Sequence, residues 1–397
     1  MVLDKVDASF RRLRKSDIEI GEPISFTVHD AGGTLVLEKG YVVPSEALCI
    51  RLVNKKVYVR AGTNQRSTSS EKTNLDYHLA SEKQLCTPFE WLGGQYQLLE
   101  TIYQEISDNP DHRTAGKIKL LAERIYRIGD KYHDGLLAAI HLWQGESYSH
   151  IKAFHVATLC DALGKRAGIG RDERISLICA GLTHDAAMWQ LQDEIQTREE
   201  PLTEEQWQKI KSHPSDGIKI LQKMGAADRT WVQAVWCHHE RLNGSGYSRG
   251  LKEKDIGQPA RILAIADTFA AMVRPRGDRA QRMPKDALRD IFLSRGEEID
   301  GTLAQFFIKE LGMFPPGSAC QLATGEVGIA TGPGANAASP DVEVIINAAG
   351  HPMKRAEYRD TCSKGYGVVA LVPTPEHPDL QALLKKMWPK VPKNVGI

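Results

Sequence analysis

The sequence predicts a mainly α protein in which a central helical bundle lies between two small β-rich modules. Three observations lead to this prediction. Apolar residues recur at helical spacing from about residue 75 to residue 314. Short runs of β-branched and aromatic residues, separated by glycine-rich turns, occupy residues 1–61 and 315–397. At 397 residues, the chain is long enough for two or three domains.

Residues 1–61 are predicted to form the N-terminal β-rich module. The apolar runs 24–28 and 34–37 flank a glycine-containing turn, which favours a hairpin. Residues 57–59 are a third short strand in this prediction. Residues 62–74 are rich in Thr, Ser, Asn and Gln, a composition typical of a linker.

Residues 75–146 are predicted to be a helical regulatory or dimerising region, because their apolar residues form amphipathic stripes. The sequence identifies no ligand for this region, so the signal it senses stays open. Residues 147–314 continue as helices, and Thr203 with Gln206 forms a capping-box pattern at the start of one of them. Residues 315–397 return to short strands and end with one short helix, which predicts a small β-rich C-terminal appendage.

Composition narrows the range of partners and compartments. The 50 acidic and 51 basic residues nearly cancel, which gives no reason to expect binding to a nucleic-acid polymer. The seven cysteines are scattered, odd in number and without a CxxC pair, which favours a reduced, cytoplasmic protein. No apolar run approaches the roughly 20 residues of a membrane span, and the N-terminus has no apolar signal-type segment.

Six residues of the kinds that bind divalent metals concentrate between residues 182 and 267. They are His184, Asp185, His213, His238, His239 and Asp267. Imidazole and carboxylate groups together suit iron, manganese, zinc or nickel. Adjacent helical residues point about 100° apart, so His184 and Asp185 can share an ion only near a helix end or through a bridging Asp. A bridging Asp would hold two metals close together, as two-metal phosphoryl chemistry requires.

A structural interpretation of the same residues is also open at this point. A single histidine on an apolar helix is more often a satisfied core residue than a ligand. Asp267 follows an apolar run, and a buried carboxylate needs a cation or strong donors beside it. The spacing alone leaves the metal site and the structural interpretation about equally supported.

Residues 148–314 resemble the HD-GYP family, a branch of the HD phosphohydrolase superfamily. The resemblance rests on five strings in the family's order and spacing, namely 182–185 (LTHD), 202–205 (LTEE), 213–217 (HPSDG), 238–247 (HHERLNGSGY) and 260–267 (ARILAIAD). It covers under half of the chain. It implies an HD-type helical bundle that hydrolyses cyclic di-GMP with metal-activated water.

The resemblance also implies a role for each ligand. It suggests two divalent ions, with iron or manganese favoured over zinc or nickel. Asp185 would bridge both ions; His213, His238 and His239 would complete one site, and His184 and Asp267 would hold the other. His184 and Asp185 would be the catalytic pair. The residues that would contact the substrate are Gly246, Tyr247 and Arg276. A signalling protein partner and an oligomer are both left open.

One departure from the family falls at the first metal ligand. The family has a histidine about thirty residues before the His-Asp pair, and Lys152 stands there. A protonated ammonium cannot ligate a metal and repels a cation. Three alternatives follow: a nearby histidine substitutes (His155 from one helical turn further on or, less favoured, His150), Lys152 is neutral, or its ammonium fills part of the cation site.

Other departures concern the substrate. Met188 replaces a lysine of the family, Ser248 replaces the proline of Gly-Tyr-Pro, Ala270 replaces an acid, and Tyr148 takes the place of an acid that would serve a third metal. These changes motivate a second hypothesis, a catalytically inactive module that binds cyclic di-GMP or a partner protein. A third, a phosphatase of other nucleotides, is disfavoured by the Gly-Tyr loop.

Overall fold

The structure, a computed structural model, confirms the mainly α class with small sheets at both ends. It describes residues 10–18, 24–30, 35–37, 39, 43, 49, 52–53, 57–60, 85–143, 147–198, 200–274, 282–336 and 338–393. The predicted linker, residues 62–74, lies outside the described residues. Among the helices described here, none combines the length and apolar character needed to cross a membrane.

The central bundle consists of helices that follow one another along the chain. They are α1 Pro88–Asp108, α2 His112–His141, α3 Tyr148–Arg166, α4 Arg171–Thr183, α5 Trp189–Gln196, α6 Glu204–Lys223, α7 Arg229–Cys237, α8 Gln258–Val273, α9 Pro284–Leu293 and α10 Gly301–Leu311. Side-chain caps start several of them. Thr203 and Gln206 form the predicted capping box of α6, and Thr87 with Glu90 forms another at α1.

Helix α3 lies at the centre of the bundle, and the residues from Ser149 to Gly164 are all buried. It packs against α2, α4 and α8. The contact with α4 is especially close, because a Cβ added to Gly181 would lie 2.6 Å from the Cα of Ala157. Only a glycine allows this approach, which brings the C-terminal end of α4 beside the middle of α3.

The predicted boundary at residues 146 and 147 stays a prediction. Helices α1 and α2, which precede it, contribute Leu99 and Ile125 to the same hydrophobic core as Phe154 and Leu177. The residues from 88 to 141 are therefore packed as part of the bundle.

The N-terminal module is a four-stranded sheet with the order β1-β4-β2-β3. Its strands are β1 Phe10–Arg12, β2 Val28–His29, β3 Leu35–Leu37 and β4 Tyr58–Arg60. Strands β2 and β3 pair antiparallel, with Val28 opposite Leu37, where the sequence predicts a hairpin. Leu13, Val28 and Val59 belong to a core of this module that is separate from the core of the bundle.

The C-terminal appendage is a five-stranded sheet with the order β10-β6-β7-β8-β9. Its strands are β6 Ala319–Leu322, β7 Val327–Asn336, β8 Ser339–Ile346, β9 Pro352–Asp360 and β10 Val368–Leu371, and helix α11 Leu380–Met387 follows them. Strand β9 is absent from the sequence prediction, because it is a charge-rich edge strand with no fully buried residue. Strand β11 Val391–Pro392 then pairs with β5 Leu85–Cys86, just before α1.

Candidate metal centre

The structure brings the six predicted ligands together in the interior of the bundle. They form two groups, within each of which the ligand atoms lie within 4.8 Å of one another: Asp185, His213, His238 and His239 in the first, and His184, Asp185 and Asp267 in the second. All of them are buried except His239, which is partly buried. Asp185 alone belongs to both groups.

Three of the histidines are oriented in the same way by the backbone. In each, Nδ1 lies at hydrogen-bond distance from the carbonyl oxygen three residues earlier: 2.8 Å for His184 and Gly181, 2.6 Å for His213 and Ile210, and 2.7 Å for His238 and Val235. Because a carbonyl only accepts, Nδ1 carries the proton in each ring. In His213 and His238, Nε2 therefore presents a lone pair to the interior, the arrangement of a metal-binding histidine. Burial alone would lower the pKa of His184, but Asp185 and Asp267 outweigh it and raise the pKa to about 9, so Nε2 of this ring also carries a proton in the metal-free protein.

In the first group, unprotonated nitrogen and oxygen atoms of His213, His238 and Asp185 face one another. His213 Nε2 lies 3.1 Å from His238 Nε2 and 3.2 Å from Asp185 Oδ1. With Nδ1 protonated in both rings, no hydrogen stands between these three atoms, and they repel one another. A cation at their common focus removes the repulsion, so this group fits a divalent metal ion.

The low pKa values of the histidines in the first group show that a bound proton does not supply the positive charge that this group needs. Burial lowers the pKa of His238 well below its usual range, and the neighbouring His239 lowers it further. Burial likewise lowers the pKa of His239, to about 3, and that of His213. All three rings are therefore neutral at physiological pH, the state that binds metals.

The second group already contains a cation from the chain itself. His184 Nε2 lies 3.1 Å from Asp185 Oδ2 and 3.3 Å from Asp267 Oδ1. Lys152 Nζ lies 2.6 Å from each of the same two oxygens, donating a hydrogen bond to Asp185 and forming an ion pair with Asp267. The ammonium therefore contacts the two carboxylate oxygens that, by the resemblance, would bind the second metal ion.

Electrostatics keep this lysine charged. Burial alone would lower the pKa of Lys152, but attraction by Asp185 and Asp267 outweighs it and raises the pKa above its usual value. Burial would raise the pKa of Asp267, but Lys152 and His184 hold it well below its usual range. A neutral Lys152, one of the three alternatives, does not fit this environment.

His155, the possible substitute for the missing histidine, lies outside both groups of ligand atoms. It is buried, and its ring packs edge-on against Phe269 of α8, with ring centroids 5.9 Å apart. One helical turn separates it from Lys152, but the aromatic contact turns it into the apolar core.

Two neighbours that sequence reasoning did not connect with the site hold the His-Asp pair. Buried Gln192 of α5 donates from Nε2 to Asp185 Oδ2. The hydroxyl of Tyr103 donates to the carbonyl oxygen of Leu182 at 2.8 Å, although the apolar stripe that contains Tyr103 predicts only a core position. No sequence signal distinguishes Gln192, because its role depends on how α5 packs against α3.

The loop after α7 is closed by a buried acid. Glu240 accepts hydrogen bonds from the backbone N–H groups of Arg249 and Leu251, at 2.7 and 2.9 Å. Gly246 lies so close to the preceding backbone that an added Cβ would be 2.4 Å from the carbonyl oxygen of His239. The glycine therefore allows the loop to fold back onto the end of α7.

This fold-back places Tyr247 against a metal-ligand candidate. Its ring stacks on that of His239, with centroids 4.5 Å apart and planes at 22°. Its backbone N–H donates to the carbonyl oxygen of His239 at 3.2 Å. Tyr247 thus limits the motion of His239 and forms a wall of the centre.

The other positions predicted to matter for substrate have different surroundings. Met188, which replaces the family's lysine, is buried in an apolar cluster with Leu191 and Ile195. Ala270 is buried within α8. Arg276, predicted to contact the substrate, lies outside the described residues.

Comparison with known proteins identifies the family. Residues 100–303, just over half of the 397 residues, match the family model described as HD domain. The chain belongs to the HD-domain family. This confirms the HD superfamily resemblance, and the match begins within α1, upstream of residues 148–314, to which the motifs point.

Two curated relatives of this HD-domain chain are cyclic-dinucleotide phosphodiesterases by name. A cyclic di-GMP phosphodiesterase of Pseudomonas aeruginosa is 25% identical over 219 residues, which are 55% of this chain and 53% of the relative. A 3'3'-cGAMP-specific phosphodiesterase of Vibrio cholerae is 37% identical over 126 residues, 30% of this chain and 28% of the relative. The chain thus spans about half of the first relative's length and little more than a quarter of the second's.

A solved structure is also similar to this HD-domain chain. It is that of an HDG"Y"P protein from Bdellovibrio bacteriovorus, with a TM-score of 0.47 and 16% sequence identity, covering 75% of this chain and 98% of that one.

Proposed function

We propose that this chain is a metal-dependent phosphodiesterase that hydrolyses cyclic di-GMP at the first group of ligands, Asp185, His213, His238 and His239. The observation that carries this proposal is the cluster of three unprotonated atoms, His213 Nε2, His238 Nε2 and Asp185 Oδ1, at 3.1–3.2 Å. Such a cluster is stable only around a cation. Membership of the HD-domain family and the names of the relatives support the reaction class.

Iron or manganese is the proposed metal because of the resemblance to the HD-GYP family, since imidazole and carboxylate donors suit iron, manganese, zinc and nickel alike. A divalent ion bound there would supply Lewis-acid polarisation of a phosphoryl oxygen and a nucleophilic water at neutral pH. The chain's own residues orient the ligands. Gln192 and Lys152 hold Asp185 Oδ2, which leaves Oδ1 directed toward His213.

The loop supplies the proposed substrate wall. Tyr247 presents an aromatic ring beside His239, and Gly246 leaves the adjoining backbone uncovered by a side chain. An aromatic ring next to a cationic centre suits a ligand that combines a purine base with a phosphodiester. Since the relatives include both cyclic di-GMP and cGAMP phosphodiesterases by name, both dinucleotides are the substrates to compare.

The test uses the full chain, stripped of metal with a chelator and reconstituted with Mn²⁺ or, without oxygen, with Fe²⁺. Chromatography measures the products. We expect conversion of cyclic di-GMP to pGpG or GMP, and slower conversion of 3'3'-cGAMP. His238→Ala should abolish both bound metal and turnover. His351→Ala, which alters an exposed histidine of the C-terminal appendage, is the control and should retain both.

Binding of cyclic di-GMP without any product, under either metal, would overturn the phosphodiesterase proposal. That result would favour the inactive binding module, for which Met188 in place of a substrate-binding lysine is the motivating observation. Calorimetric titration with cyclic di-GMP on the same sample distinguishes this outcome from loss of binding altogether.

A further inference from the structure

Lys152 occupies the second group of ligands through the same atoms that an ion would need. The oxygens facing His184 Nε2 are Asp185 Oδ2 and Asp267 Oδ1, at 3.1 and 3.3 Å. The ammonium lies 2.6 Å from both of these oxygens. The lysine is buried, with 5% of its surface exposed, so water does not screen it from the carboxylates.

A divalent ion and this ammonium cannot share the two oxygens. An ion of this kind binds carboxylate oxygen at about 2.0–2.2 Å, so it would be forced into contact with a nitrogen already held by the same atoms. The divalent ion and the ammonium, bound to the same two oxygens in a buried site, would repel each other strongly. Access for the ion would require Lys152 to leave a pocket in which both of its acidic partners are also buried.

The first group is free of this conflict. Asp185 directs its other oxygen, Oδ1, to His213, and Lys152 forms its contact with Oδ2. By the resemblance, the Asp185 carboxylate would bridge two ions. In this structure its Oδ1 faces the first group, and its Oδ2 accepts a hydrogen bond from the Lys152 ammonium.

We propose that Lys152 permanently replaces one of the two metal ions, so that this centre takes a single divalent ion per chain. The ammonium neutralises Asp267, orients Asp185, and cannot be removed by a chelator. This inference rests on the proposed function only in taking the first group as a metal site. It makes Lys152 a positioning residue for the bound ion and changes the expected stoichiometry from two ions to one.

Metal content of the full chain tests the stoichiometry directly. The protein is reconstituted with excess Mn²⁺, desalted and analysed by mass spectrometry of the elements, with calorimetric titration as a second count. We expect one ion per chain for the wild type and two for Lys152→His, which restores an imidazole donor beside His184 and Asp267. Lys165→His is the matched control, because Lys165 lies on the same helix in an exposed pair with Asp130, and it should keep one ion.

A second pair of variants locates the added ion. Asp267→Asn should leave one ion in the wild-type background, because Asp267 pairs there with Lys152. In the Lys152→His background the same change should reduce the count from two to one. Circular dichroism and a thermal melt establish that each variant is folded before its metal is counted.

Two ions per wild-type chain would overturn the inference, whether or not the variants fold, and would leave the phosphodiesterase proposal intact. One ion in a folded Lys152→His variant would overturn it as well. No ion in the wild type would overturn both proposals, whereas one ion without hydrolysis would contradict only the proposed function.

Discussion

Lys152 of α3 and Asp267 of α8 form a buried ion pair, with Nζ 2.6 Å from Oδ1. Only 5% of the lysine surface and 6% of the aspartate surface are exposed. The pair connects two helices of the bundle at the candidate metal centre, and Asp185 shares the same ammonium. Charge balance at this point therefore affects both the stability of the protein and its affinity for metal.

Lys152→Met is expected to destabilise the metal-free protein by about 3 kcal/mol, since removing one partner leaves buried carboxylates uncompensated. Mn²⁺ should restore much of this loss, because an ion that binds only the folded state stabilises it. Urea denaturation with EDTA and with Mn²⁺ measures both effects. Equal free energies of unfolding for variant and wild type in EDTA would show that the lysine charge does not stabilise the acids.

Gln192→Leu should weaken metal binding about tenfold, because it removes a hydrogen bond that orients the ligand Asp185. Titration of the metal-free protein with Mn²⁺ gives the dissociation constant. Gln190→Leu is the control on the same helix: Gln190 is exposed and its amide donates to Ser107. If both variants bind metal like the wild type, Gln192 does not position Asp185.

Gly246→Ala should displace the loop after α7 and separate Tyr247 from His239. The new Cβ would lie 2.4–2.5 Å from backbone atoms of residues 239–241, which cannot move aside as a flexible side chain does. We expect a loss of about 1–3 kcal/mol in stability and reduced turnover. Gly116→Ala, in an exposed part of α2 with no atom within 4 Å, should be neutral or stabilising. Unchanged stability and turnover in Gly246→Ala would contradict the close packing.

Asp134→Asn is expected to stabilise the protein at alkaline pH. Burial raises the pKa of Asp134 from 3.8 to about 7, and the negative charges of Glu310 and Asp341 add to the shift. Between these two values the unfolded state releases the proton and the folded state retains it, so the wild type loses stability as pH rises from about 4 to 7.

The gain in stability from Asp134→Asn should therefore be small near pH 4 and larger by on the order of 4 kcal/mol at pH 8. Melting temperatures of wild type and variant across this range measure it. Asp134 lies against Gly332 of β7, so the effect belongs to the contact between α2 and the C-terminal sheet, away from the metal centre. A difference in stability that is constant with pH would show that Asp134 titrates normally.

Local sequence patterns were sufficient for much of the fold. The capping box at Thr203, the hairpin ending at Leu37 and most strands of the C-terminal sheet follow from periodicity and turn chemistry. Strand β9 could not be predicted in the same way. Its alternation of charged residues is that of an exposed edge, and only pairing with β8 makes it a strand.

For the candidate site, the sequence by itself determined the ligand types, their order along the chain and the family they indicate. These depend on residue identity and spacing, which are local properties. Only the tertiary structure decided among the alternatives at Lys152. The direction of His155 toward Phe269, the hydrogen bond from Gln192, and the placement of the ammonium between Asp185 and Asp267 all depend on how helices distant in sequence pack together.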